Sequence, residues 1–192
     1  MKRIISLVLI LVLVLTFGGC KKKKEEVEDN TLSPGDLPGK VFSSEFILAL
    51  DKTDWYTSLV LKDDATFEGN YHSEKNGTVY YCNFYGKFTD IKKINDYSYS
   101  LVLESLNYDD YIGKKTVKNG KEYKAEYPYG LEKGKRFILY TPDTPVSELS
   151  TNVLAWWPKL KEHYKEPYKT LSTYALVNTN EETNYAFFIC EE

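Results

Sequence analysis

The chain has 192 residues, 28% of them charged, with a formal net charge of −3. Residues 1–19 hold Lys2 and Arg3 and no acid, so without them the charge is −5, and this mild acidity argues against nucleic acid as a partner. Two histidines and three cysteines leave few residues for zinc sites or histidine-based catalysis, whereas 17 tyrosines and 15% aromatic content favour pleated sheet.

Met1-Lys2-Arg3 is followed by a largely apolar run from Ile4 to Phe17 and then by Gly18-Gly19-Cys20. Charged, apolar and small, in that order, is the plan of a secretory signal peptide over residues 1–19. The apolar run would make roughly 21 Å of helix against a hydrocarbon core of about 30 Å, too short to span comfortably. An uncleaved anchor is the competing reading, helped by the positive run Lys21–Lys24. Phe17-Gly18-Gly19-Cys20 resembles the lipobox of bacterial prolipoproteins, with Phe17 where an aliphatic residue is usual. That resemblance implies cleavage before Cys20 and a diacylglyceryl group on its thiol. Two acyl chains anchor a protein stably where one does not.

Residues 20–38 combine charge runs with Pro34, Gly35 and Pro38, which predicts the lipidated cysteine followed by a disordered tether. The remainder, 39–192, is the size of one domain and reads as a single β-rich extracytoplasmic unit. Leu59 and Leu61 face Phe67, Gly69 and Tyr71 across a turn at Asp63-Asp64. Asn76-Gly77 is a hairpin turn leading into a strand in which Tyr80, Cys82, Phe84 and Phe88 share a face. Another alternating run covers Tyr97–Leu103, with later candidates at Arg136–Tyr140, Thr173–Val177 and Tyr185–Cys190. Hairpins in succession predict an antiparallel meander closed into a small barrel or packed as a sandwich, of calycin or lipocalin type. A short helical segment is expected near 146–164, interrupted by Pro158.

Trp55 through Leu59, Asp64 with Phe67 and Gly69, Thr78 through Cys82 with Phe84, and Gly86-Lys87-Phe88 followed by Ile94, Tyr97 and Tyr99 are similar to an uncharacterised family of exported firmicute lipoproteins and related proteins. The resemblance implies export and no particular activity.

No catalytic or metal motif stands out, and no cofactor is expected. His72 and His163 read as surface residues, and Asp63, Asp64, Asp109 and Asp110 are the acids an enzyme acting on envelope polymers would have to use. The stronger candidates for ligand contact are aromatic: Trp156, Trp157, Tyr127 and Tyr129. Only one of the adjacent tryptophans can face a surface, and the sequence does not say which. Cys82 and Cys190 form either a disulfide or two buried small side chains. The leading expectation is a non-enzymatic envelope lipoprotein, held at the membrane through its N-terminal lipid, that binds a small apolar ligand, a glycan or an envelope protein. A hydrolase and a structural subunit of an envelope complex are the alternatives.

Overall fold

The computed structural model describes residues 31–49, 54–131, 134–180 and 185–189. Residues 1–19, expected as a signal peptide, and Cys20 lie outside them. Among the described residues ten strands are present: β1 (Glu45–Leu48), β2 (Trp55–Leu61), β3 (Thr66–Lys75), β4 (Thr78–Asn95), β5 (Ser98–Tyr108), β6 (Lys115–Lys118), β7 (Lys121–Ala125), β8 (Arg136–Tyr140), β9 (Ala175–Asn178) and β10 (Ala186–Ile189). Eight of them, in the cyclic order β1-β2-β3-β4-β5-β8-β9-β10, form a closed antiparallel barrel; β10 pairs back to β1 through Phe46 and Ile189. Closure decides between the barrel and the sandwich. β6 and β7, which lie between β5 and β8 in chain order, form a hairpin at the side of β4, with β7 parallel to its start.

Alternation builds the interior. Phe46 and Leu48, Leu59 and Leu61, Phe67 and Tyr71, Cys82, Phe84 and Phe88, Leu101, Phe137 and Leu139, Leu176, and Phe187 are buried in one cluster. On β3 and β4 two inward pairs each match a phenylalanine with a glycine: Phe67 faces Gly86, and Gly69 faces Phe84. Each ring lies over the bare glycine, so a Cβ on Gly69 would stand 2.6 Å from Phe84 Cζ, and one on Gly86 2.5 Å from Phe67 Cζ. Register shifts at Lys87/Phe88, Thr89/Lys92 and Lys93/Asn95 bend the second half of β4, which is how a long strand turns to close a barrel.

The two ends are stoppered differently. At one end the segment from Thr31 to Ser44 crosses the barrel mouth: Leu32 N–H donates to Ile91 O at 2.7 Å, Ser43 N–H to Leu61 O at 3.0 Å, and Leu37 and Val41 are buried. The tether expected over 20–38 is therefore docked from Thr31 onward, because Leu32 and Leu37 supply the apolar surface that a solvated spacer lacks. At the other end the loop after β7 folds inward; Leu131 is buried, and Asn178 Nδ2 donates to Gly130 O at 2.8 Å.

The predicted helical segment is a 3-10 turn (Val146–Glu148) and two short helices (Thr151–Leu154 and Leu160–His163) separated around Pro158. Ser150 Oγ caps the first helix by accepting from Val153 N–H at 3.3 Å. This stretch lies on the outer face of β9 and β10, where Val146, Leu149, Val153, Trp157 and Leu171 cover Ala175, Val177, Ala186 and Phe188. That second core explains why every residue of β9 is buried. No helix among the described residues is long and apolar enough to cross a membrane.

Candidate functional site

Two surfaces gather chemistry. The first is an aromatic rim at the end of the barrel opposite Thr31. Tyr129 lies 5.7 Å from Trp55, 6.1 Å from Tyr71 and 5.9 Å from Tyr185 between ring centroids, and Trp156 lies 6.0 Å from Trp55 and 5.4 Å from Tyr185. Most of these contacts are tilted or edge-to-face, the arrangements that aromatic quadrupoles favour. Trp156 is the member of the tryptophan pair that reaches the surface. Trp157 is only 2% exposed, packed in the second core with Tyr168 at 5.5 Å, and it is not available to a ligand. Of the other two aromatic candidates, Tyr129 is central to the rim and 46% exposed, while Tyr127 pairs with Tyr108 at 5.6 Å. The rim rings mostly pack on each other and on the barrel core, so they close this end.

The second surface is a groove of about 460 Å³ on the outer face of β1 to β4. Strand register lays its floor in two rows. Ser58, Asn70 and Asn83 are aligned across β2, β3 and β4, and next to them run Val60, Glu68 and Tyr85. Asn70 Nδ2 donates to Ser58 Oγ at 3.2 Å, which fixes the amide. Tyr85 is 52% exposed and presents a ring beside Glu68, whose carboxylate pairs with Lys62 at 2.8 Å. Glu45 on β1 and Asp109 just beyond β5 flank the floor on opposite sides. Asp109 is held there by its N–H, which donates to Asn83 O at 3.1 Å.

The remaining sequence candidates have structural roles. Asp64 accepts from Thr66 Oγ1 at 2.6 Å and from Thr66 N–H at 2.9 Å, which closes the β2–β3 turn and holds its carboxyl below the usual range. Asp110 accepts from Lys114 Nζ and from Tyr81 Oη, and those bonds lower its pKa in the same way. A general acid requires the opposite shift. Asp63 is a solvent-facing turn residue, and His72 stacks on Tyr56 at 5.8 Å. No group of three or more His, Cys, Asp or Glu among the described residues is placed to hold a metal ion.

Cys82 carries a free thiol, buried opposite Tyr71 on the inward face, while Cys190 lies outside the described residues. Burial, reinforced by Asp109 and Asp110, pushes the Cys82 thiol up to about 12. The reactive species is the thiolate, so alkylation at pH 8 followed by peptide mapping should leave Cys82 unmodified in the native protein and label it in denaturant. The native thiol keeps its proton up to about 12, whereas the unfolded one releases it near its ordinary value of 9.0. The stabilisation is thus fully present below pH 9 and is lost as pH rises towards 12. Native alkylation at pH 8 would refute the buried placement.

Comparison of the chain with protein-family models, with curated proteins and with solved structures finds no match. The functional reading therefore stands on the groove, the rim and the N-terminal sequence alone.

Proposed function

We propose that this chain is a lipid-anchored envelope protein, attached to the extracytoplasmic face of the cell membrane through Cys20, whose barrel is a non-enzymatic binding domain for a glycan. The observation that carries the binding reading is the outer groove. It joins an exposed tyrosine ring to the amides of Asn70, held in place by the buried Ser58 hydroxyl, and Asn83, with carboxylates at both flanks. A sugar has apolar ring faces and a perimeter of hydroxyl groups, so it needs a flat ring to lie on and several fixed donors and acceptors around it. Phe46, Phe67, Phe88, Phe137 and Phe187, each fully buried, occupy the interior where a barrel of this size would otherwise hold a small ligand. That filling favours the outer surface as the place of binding.

Calorimetric titration with oligosaccharides of glucose, N-acetylglucosamine and glucosamine tests the site. At least one should bind saturably, and Tyr85→Ala should weaken it tenfold or more while leaving the melting temperature within about 2 °C, since Tyr85 is outside the core. A panel with no saturable binding sinks the glycan reading. The anchor is tested separately by intact mass and membrane fractionation in a bacterial host. The expected product begins at Cys20, carries a diacylglyceryl increment and sediments with membranes; Cys20→Ser should abolish both increment and cleavage. An uncleaved wild-type mass would make the leader a transmembrane anchor instead.

A further inference from the structure

The charge on the groove narrows the class of saccharide. Its lining contains three carboxylates, Glu45, Glu68 and Asp109, and no lysine or arginine. Glu68 is answered by Lys62, which lies outside the lining. Glu45 and Asp109 have no cationic partner among the described residues, and they sit on opposite flanks with Tyr85 and the Ser58–Asn70–Asn83 row between them. From β1 to the end of β5 is four strand spacings of about 4.8 Å each along the sheet, too far for the two carboxylates to share one ion. They are placed instead to meet two separated positive charges on one extended ligand.

We infer that the groove takes an oligosaccharide bearing free, protonated amino groups, such as a de-N-acetylated amino-sugar polymer; this rests on the groove being the glycan site. The neutral centre supplies hydrogen bonds to hydroxyls and a ring to stack on. The flanks supply acceptors for ammonium groups, each of which brings three donors. A tyrosine face also attracts a nearby cation. The same carboxylates repel phosphate-bearing or uronic-acid polymers, so selectivity against anionic glycans follows from the attraction of cationic ones. N-acetylation removes the charge and leaves the flanking carboxylates unanswered.

The full-length chain, purified in detergent, is titrated with hexaglucosamine and with hexa-N-acetylglucosamine at pH 6 and low salt. Hexaglucosamine should bind at least tenfold tighter, and the preference should shrink several-fold at 0.5 M salt because exposed charges are screened. Glu45→Gln combined with Asp109→Asn should reduce the preference below threefold, whereas Tyr85→Ala should weaken both sugars alike. Equal affinity for the two sugars, lost in Tyr85→Ala, overturns the amino-sugar inference and leaves the groove as a glycan site. A preference that survives the double substitution overturns the assignment to Glu45 and Asp109. No binding of either sugar, or binding indifferent to Tyr85→Ala, removes the groove reading and this inference with it. Pentalysine displacing hexaglucosamine, and itself bound undiminished by Tyr85→Ala, would replace the saccharide with a basic peptide and overturn the proposal.

Discussion

Gly69→Ala should destabilise the protein by about 3 kcal/mol or more, lowering the melting temperature by roughly 6–12 °C for a chain of this size. Ordinarily the exchange inside a strand is favourable, because glycine loses more conformational freedom on folding than alanine. Here the sign reverses. The added methyl would stand 2.2 Å from the backbone oxygen of Ser58 on β2 and 2.6 Å from the Phe84 ring on β4. A ring can tilt, but a carbonyl in the β2–β3 ladder moves only if the sheet moves with it. Gly86 meets the backbone oxygen of Ser105 at the same 2.2 Å and should behave alike. Gly77 is the control: it adopts a φ of +78° in the β3–β4 turn, with open space around it, so alanine there should cost only the left-handed strain of about 1 kcal/mol. Thermal melts of Gly69→Ala, Gly86→Ala and Gly77→Ala decide the matter, and equal losses at all three positions would rule out the close-packing account.

Phe88→Ala should cost about 4 kcal/mol, near the centre of the range for emptying a phenylalanine site. Phe88 is 1% exposed, and its ring lies 4.9 Å from Phe67 and 5.2 Å from Phe137, so it links β3, β4 and β8 across the interior. Phe88→Leu keeps most of the volume and should lose less than about 1.5 kcal/mol. Urea denaturation of the two variants gives the comparison. A loss below about 1.5 kcal/mol for alanine would mean that the interior collapses around the gap and is not close-packed.

The meander was legible because its signal is local. Leu59 and Leu61 opposite Phe67, Gly69 and Tyr71 form a period-two pattern with a turn between, and the hairpin forms as that pattern requires. Arg136–Tyr140 is β8 without adjustment, whereas Thr173–Val177 and Tyr185–Cys190 locate β9 and β10 to within a residue or two. β1 is only four residues long, and it is easily missed. The β6–β7 hairpin carries a turn signature in Asn119-Gly120, both at positive φ, but its short strands are rich in lysine and show no clean apolar alternation. Ion pairs such as Lys121–Glu74 at 2.6 Å tie it to β3 in place of an apolar face. The aromatic rim was half legible: Trp156 and Tyr129 attract notice in the sequence, while Trp55 and Tyr185 join them only through barrel closure. The groove could not be read at all. Its residues run from Glu45 to Asp109 along the chain, and its exposed polar members, apart from Asp109 just beyond β5, are ordinary outward positions on separate strands. Only lateral register sets Ser58 beside Asn70 and Asn83.

The segment that crosses the barrel mouth with Leu37 and Val41 buried also gives the molecule a direction. If the chain is attached through Cys20 as proposed, the residues from there to Thr31 could reach at most about 40 Å, and Thr31 lies at the end where Leu32 bonds to Ile91. Under that proposed attachment, the Thr31 pole would be turned towards the lipid and the Trp55, Tyr129 and Trp156 pole would face outward. A barrel attached in that way would carry its side, where Tyr85 lies, through the layer just above the headgroups. A polymer lying there would be met broadside and gripped along its length, not end-on.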